Sequence, residues 1–238
     1  MIYPLYLILF FGALLSGLSV LWLKINSRNL KLILSFSGAY LFAISVLHLI
    51  PDIYSGGDRS IGIYILAGFF LQIFLEFFSE GIEHGHIHVH AGHGKTFPLT
   101  IMLSLSVHSF LEGMPLSQNS DQISESNKQL LVGILLHNVP IAIALMTMLK
   151  ESKVGKSMAL FFLITFAAMA PMGALVSRII GTSVINIADY FNNIMAVVIG
   201  IFLHISTTIL FESSENHRFN LLKFLIILLG AGLALFSL

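Results

Sequence analysis

Apolar stretches of membrane-spanning length recur along almost the whole chain, and no other feature restricts its fold as much. A transmembrane helix needs about 20 predominantly apolar residues. Eight such runs, separated by short polar punctuation, extend over Tyr3 to Leu23, Leu30 to Ile50, Ile61 to Glu80, Phe97 to Leu116, Gln129 to Leu149, Lys156 to Ile180, Tyr190 to Phe211 and Phe219 to Leu238. Of the 238 residues 56% are hydrophobic and 10% charged, against roughly 45–50% and about 25% in an ordinary soluble domain. A water-soluble fold is excluded. Barrel strands would show about ten residues of alternating polarity, whereas Leu99 to Val107 and Leu221 to Leu229 are apolar on nearly every side. The expected fold is all-α: a polytopic bundle of eight helices forming a single transmembrane domain over residues 1–238, with a loop at 81–96. Met1 to Lys24 lacks a basic leading region and a small-residue cleavage site, so it reads as a retained first span.

Charge sets the orientation and removes some partners. Twelve Lys and Arg balance twelve Asp and Glu, so no basic surplus points to nucleic acid; the partner in bulk is the lipid bilayer. Positive residues are retained on the cytoplasmic side. Lys24, Arg28, Lys31, Lys95, Lys150, Lys153, Lys156, Arg218 and Lys223 fall on one side, and Arg59, Lys128 and Arg178 on the other. That split places both termini outside and residues 83–95 in the cytoplasm. The expected address is the plasma membrane, or the inner membrane of a bacterial host.

Ionisable groups inside hydrocarbon cost several kcal/mol unless they meet a partner, a cavity or an ion, which makes each one a candidate for function. His108 and Glu112 are spaced i and i+4 in the fourth run, on one helix face. An imidazole and a carboxylate on one face form half of a divalent-cation site; the simpler alternative is a buried ion pair. His137 lies midway along the fifth run, followed by Asn138 and Pro140. Pro140 cannot donate to the Leu136 carbonyl, Pro115 frees that of Leu111, and Pro171 that of Ala167, so helices broken beside a transport pathway are expected. With no cysteine in the chain, imidazole and carboxylate are the strong metal ligands available.

Weaker candidates lie to either side. His48 and Asp52 would stand at the outer end of the second helix, as an entrance or as ordinary interfacial groups. Glu76, Glu80 and Glu83 fall at i, i+4 and i+7 of the third helix, and His204 on the inner half of the seventh. These could line an exit, although a solvated helix end is the expected reading for Glu80 and Glu83. His84, His86, His88, His90 and His93 come next in a glycine-containing tract, a compositional signal for loose metal buffering, or else a polar loop without a metal role.

These residues together resemble the ZIP family of divalent-metal transporters. The similarity spans nearly the whole chain and is carried by His108-Ser109-Phe110-Leu111-Glu112-Gly113, His137-Asn138-Val139-Pro140, Leu47-His48-Leu49-Ile50-Pro51-Asp52 and Pro171-Met172-Gly173-Ala174-Leu175. The resemblance implies uptake of zinc as transported substrate, with iron, manganese or cadmium as further cargo, and no resident cofactor. It also implies a transport core of helices 1, 4, 5 and 6 moving against the remaining helices, often in a homodimer. Many members carry Asn at the position of Ser109 and Glu at that of Ile141, and some carry Glu at that of Ala170; these residues help to hold two metals. Their absence implies one central site of His108, Glu112 and His137, completed by Asn138, Ser109 or water. Two other functions compete: a membrane-embedded metal-dependent hydrolase, for which the His-Glu-x-x-His string is missing, and a non-transporting metal sensor or channel.

Overall fold

The structure, a computed structural model, describes residues 3–84, 97–117, 125–181, 187–212 and 220–236. Eight long helices occur among them: α1 (Tyr3–Ser19), α2 (Ser27–Tyr54), α3 (Ile61–Ser79), α4 (Phe97–Gly113), α5 (Glu125–Glu151), α6 (Lys156–Gly181), α7 (Ile187–Glu212) and α8 (Leu221–Leu235). Six are long and apolar enough to cross a membrane, and α1 and α8 are apolar but shorter. Two helix starts carry the side-chain caps that their sequences offer. The Asn26 carboxamide accepts from the Asn29 amide at 2.7 Å and that of Asn220 from Lys223 at 3.2 Å, each satisfying one of the amides left over in a first turn. In the turn before α3, the Asp58 carboxylate accepts from both the amide and the hydroxyl of Ser60 at 2.8 Å. Those bonds hold its pKa below the ordinary carboxylate range.

Prolines account for two differences from the expected helix bounds. The second helix does not stop at Ile50 but continues through Pro51 to Tyr54, by way of a π-helical turn at Ser45–Leu49. The Ile50 amide reaches the Ser45 carbonyl across that wider turn. This spreads the backbone ahead of a residue that has no N–H to give and whose ring would press on the carbonyl four residues back. The fourth helix is regular only to Gly113 and tightens into a 3-10 turn over Met114–Ser117, with Pro115 inside it. Pro140 and Pro171, in contrast, sit inside continuous helices.

The helices pack as two groups of four. In one, α1 lies against α5 and α6, and α4 against α6; in the other, α3 lies against α7, and α2 against both α7 and α8. Contacts of α2 with α5 and of α3 with α4 join the groups. Lipid is as apolar as the side chains, so close van der Waals approach between helices, made possible by small residues, replaces the hydrophobic drive of soluble cores. Each group is held by a reciprocal glycine crossing. A Cβ on Gly113 would collide with the Ala170 carbonyl, and one on Gly173 with the Phe110 carbonyl, so α4 and α6 touch backbone to backbone. Gly68 meets the carbonyl of Val197 and Gly200 that of Ile65 in the same manner between α3 and α7. Phe70, Phe74, Phe77 and Leu66 of α3, and Phe161, Ile164 and Ile179 of α6, are exposed, as a lipid-facing surface requires.

Gly113→Val and Gly173→Val are expected to lower the apparent melting temperature of the solubilised protein. The cost should exceed the roughly 1–3 kcal/mol of ordinary overpacking, because the obstacle is backbone and cannot rotate away. Gly232→Ala, at a position with open space around it, should be neutral. Wild-type melting of both valine variants would refute the close crossing.

Candidate metal centre

One helical turn and one helix crossing build the first cluster. On α4 the i, i+4 spacing stacks His108 above Glu112, and the contact of α4 with α5 brings His137 beside them. Because α4 ends at Gly113, Glu112 lies in its last turn and not midway, whereas His137 is near the centre of α5. His108 Nε2 and Glu112 Oε1 are 3.1 Å apart. The His108 and His137 rings stand edge to face with centroids 5.8 Å apart. One ligand atom from each of the three residues lies within 4.8 Å of the other two.

All three side chains are inaccessible to solvent. Even so, His108 Nε2, both carboxylate oxygens of Glu112 and both ring nitrogens of His137 make no hydrogen bond among the described residues. The same holds for Ser109 Oγ and Asn138 Oδ1, from the two residues expected to complete the site. Burying such groups unpaired costs roughly 1–3 kcal/mol each, and more for a charge. Donors on one tetrahedral zinc at about 2.0–2.1 Å from the ion sit about 3.3 Å from each other, a spacing that the His108–Glu112 pair already has. A divalent cation would satisfy all three residues once the His137 nitrogen, which lies within 4.8 Å of the other two ligand atoms, closes to that spacing.

The second cluster combines Glu76, His84 and His204. Glu76 accepts from His204 Nε2 at 2.5 Å and lies 3.2 Å from His84 Nε2. The helix pattern alone does not bring His84 there. After Ser79 the chain leaves the helix through Glu80 and Gly81, both with positive φ, 52° and 71°. It then turns back in a short 3-10 segment, Ile82–His84, with the His84 amide on the Gly81 carbonyl at 3.0 Å. A left-handed pair of this kind is a common way to end a helix, and glycine adopts it without strain. The reversal corrects the expectation for Glu83, which is not a solvated helix end but fully buried; Glu80, at the bend, is exposed as expected.

His48 is half-buried in the π turn of α2, with Nε2 3.3 Å from the Ala234 carbonyl of α8, and Asp52 is exposed one turn further on. Neither joins a cluster of three ligands among the described residues. His86, His88, His90 and His93 lie outside the described residues.

Sequence reasoning overlooked Gln72. It is fully buried on α3, accepts a hydrogen bond from His108 Nδ1 at 3.0 Å and donates one to Glu83 Oε2 at 2.5 Å. A signal was available: Gln72, Glu76 and Ser79 recur at i, i+4 and i+7 in an otherwise apolar helix, a polar stripe that has to face protein.

A family profile described as "ZIP Zinc transporter" matches residues 83–237. "Protein zntD" of Dictyostelium discoideum is 24% identical over 169 residues, covering 65% of this chain. The chain spans about a quarter of that relative, 24% of its length.

The unpaired atoms of the first cluster lead to a stability test. Zinc at a hundred times its dissociation constant should raise the unfolding free energy by about 2.7 kcal/mol. Glu112→Gln should weaken that zinc binding at least tenfold, about 1.4 kcal/mol, and leave the chelator-treated protein no less stable than wild type, since it removes an uncompensated buried charge. A metal-free variant clearly less stable than metal-free wild type would show that Glu112 is instead a satisfied structural ion-pair partner.

Proposed function

Because the chain belongs to the ZIP zinc transporter family, we propose that it carries divalent cations, zinc foremost, across the membrane into the cytoplasm by way of His108, Glu112 and His137. The observation that carries this reading is the set of solvent-inaccessible ligand atoms of these residues, within one coordination sphere of each other and without hydrogen-bond partners among the described residues. Nitrogen and oxygen donors without thiolate suit zinc, iron or manganese, so geometry more than donor softness would discriminate among them. One carboxylate and two neutral imidazoles hold a dication less tightly than several carboxylates would. That favours turnover, because a transporter has to release what it binds.

The reading takes the site as mononuclear. Ile141, one turn beyond His137, is fully buried among apolar neighbours, and the Ala170 backbone is pressed against Gly113. Neither position offers a second carboxylate. Glu76, His84 and His204 serve as the next resting place toward the cytoplasm, with exposed Glu80 next to them in the chain and the histidine tract following in sequence as a metal buffer. His48 and Asp52 stand on the opposite side as an entrance. The direction rests on the distribution of Lys and Arg between the two sides of the membrane.

Radioactive zinc uptake into proteoliposomes or cells tests the proposal. Wild type should show saturable uptake that iron, manganese or cadmium reduces by competition, and both Glu112→Ala and His137→Ala should fall to background. No uptake of any of these metals by folded wild type would overturn it. The ligands bind metal as neutral imidazole and ionised carboxylate, so protons compete with the ion. Uptake should therefore slow as external pH falls from about 8 to about 5.5, through the imidazole range; a flat profile would contradict ligation by histidine.

A further inference from the structure

Gln72 belongs to neither cluster, yet it touches a ligand of the first. Its two hydrogen bonds constrain one another. An ionised Glu83 carboxylate can only accept, and it takes the Gln72 NH2 on Oε2 at 2.5 Å. The Gln72 carbonyl oxygen is then the atom 3.0 Å from His108 Nδ1, and an oxygen there requires a proton on Nδ1. A neutral imidazole protonated on Nδ1 keeps its lone pair on Nε2, which is the atom 3.1 Å from Glu112 Oε1 and without a hydrogen bond. Gln72, Glu83 and His108 are all fully buried, so water does not compete for these bonds. The relay also crosses from one helix group to the other, since Gln72 is on α3 and His108 on α4.

We propose that Gln72, anchored by Glu83, is a positioning residue that fixes His108 in the tautomer and orientation of an Nε2 metal ligand. The proposal rests on the reading of His108, Glu112 and His137 as the metal site. A partner on the far nitrogen of a ligating histidine fixes ring orientation and raises ligand basicity, and its removal typically weakens metal binding about 10–100-fold. A carboxylate behind the amide polarises it further and strengthens the bond to Nδ1–H. The turn that supplies Glu83 also supplies His84, so the ring orientation of His108 depends on the fold of a segment that reaches the second cluster.

The test uses the full chain in lipid nanodiscs, with histidine labelled by 15N and zinc as the probe. In zinc-loaded wild type, His108 should carry the metal on Nε2 and the proton on Nδ1, its signals being assigned by their loss in His108→Ala. Metal on Nδ1 overturns the proposal whatever the variants do. Gln72→Leu should weaken zinc binding about 10–100-fold and lose the single tautomer, while Glu83→Gln, which retains an acceptor for the Gln72 amide, should keep the Nε2 signature with a smaller loss. Gln72→Met, close to glutamine in length, takes the place of Gln72→Leu if the latter does not fold. If His137→Ala lowers zinc affinity but Gln72→Leu stays within about threefold of wild type, the positioning role is overturned and the metal site stands. If His137→Ala binds zinc like wild type, it is the reading of the site that fails.

Discussion

Hydrocarbon offers no hydrogen bonds, and a carboxylate buried in it must be compensated by the protein or by an ion. Glu112 is the group on which this constraint falls hardest. It is fully buried, neither of its oxygens has a hydrogen-bond partner among the described residues, and its near neighbours His108 and His137 leave ring nitrogens equally unpaired. The three ligands are therefore assembled around one point, with His108 Nε2 and Glu112 Oε1 in ion-pair contact at 3.1 Å and the second carboxylate oxygen and both His137 nitrogens left without a partner among the described residues. The surrounding structure does two things for them: it brings α4 and α5 together so that the ligand atoms share one point, and it supports His108 from behind through Gln72.

The two glycine crossings explain how such a site can keep its geometry in lipid. Backbone contact between α4 and α6, made one residue beyond Glu112 and two residues beyond Pro171, leaves little room for either helix to slide against the other without a clash. The matching contact between α3 and α7 steadies the helices that bear Gln72, Glu76 and His204. Each group of four helices thus has a close internal contact. Polar bonds also cross between the groups, among them His108 to Gln72 and the Ser104 hydroxyl to the Leu75 carbonyl at 2.6 Å. The division agrees with the one implied by the family resemblance, in which helices 1, 4, 5 and 6 form a unit.

Most of the fold was legible because the membrane imposes a simple code. Long apolar runs have to be helices, and the eight that were expected occur among the described residues, with ends displaced by up to four residues, two of them at proline. Pro51 did not end α2, since a π turn made room for it; Pro115 did end the regular part of α4. Both outcomes depend on what the preceding turn can do, and a proline by itself does not specify that. The pairing of His108 with Glu112 was legible for a related reason, as i, i+4 spacing is a local property of a helix. Glu83 was misjudged because a helical pattern was extended past Ser79, where two left-handed residues fold the chain back and bury Ile82, Glu83 and His84.

The sequence by itself determined that this is a helical membrane protein, which runs of residues form its helices, and that His108, Glu112 and His137 are the ionisable groups least accounted for by structure alone. All of these come from composition and from spacing within one helix. Only the tertiary structure decided which nitrogen of His108 faces Glu112, that Gln72 and Glu83 stand behind it, and that Glu76, His84 and His204 meet. Each of those facts joins residues from different helices or across a chain reversal, and their proximity is set by backbone contacts at glycine and by the direction of one turn, neither of which periodicity along a single helix encodes.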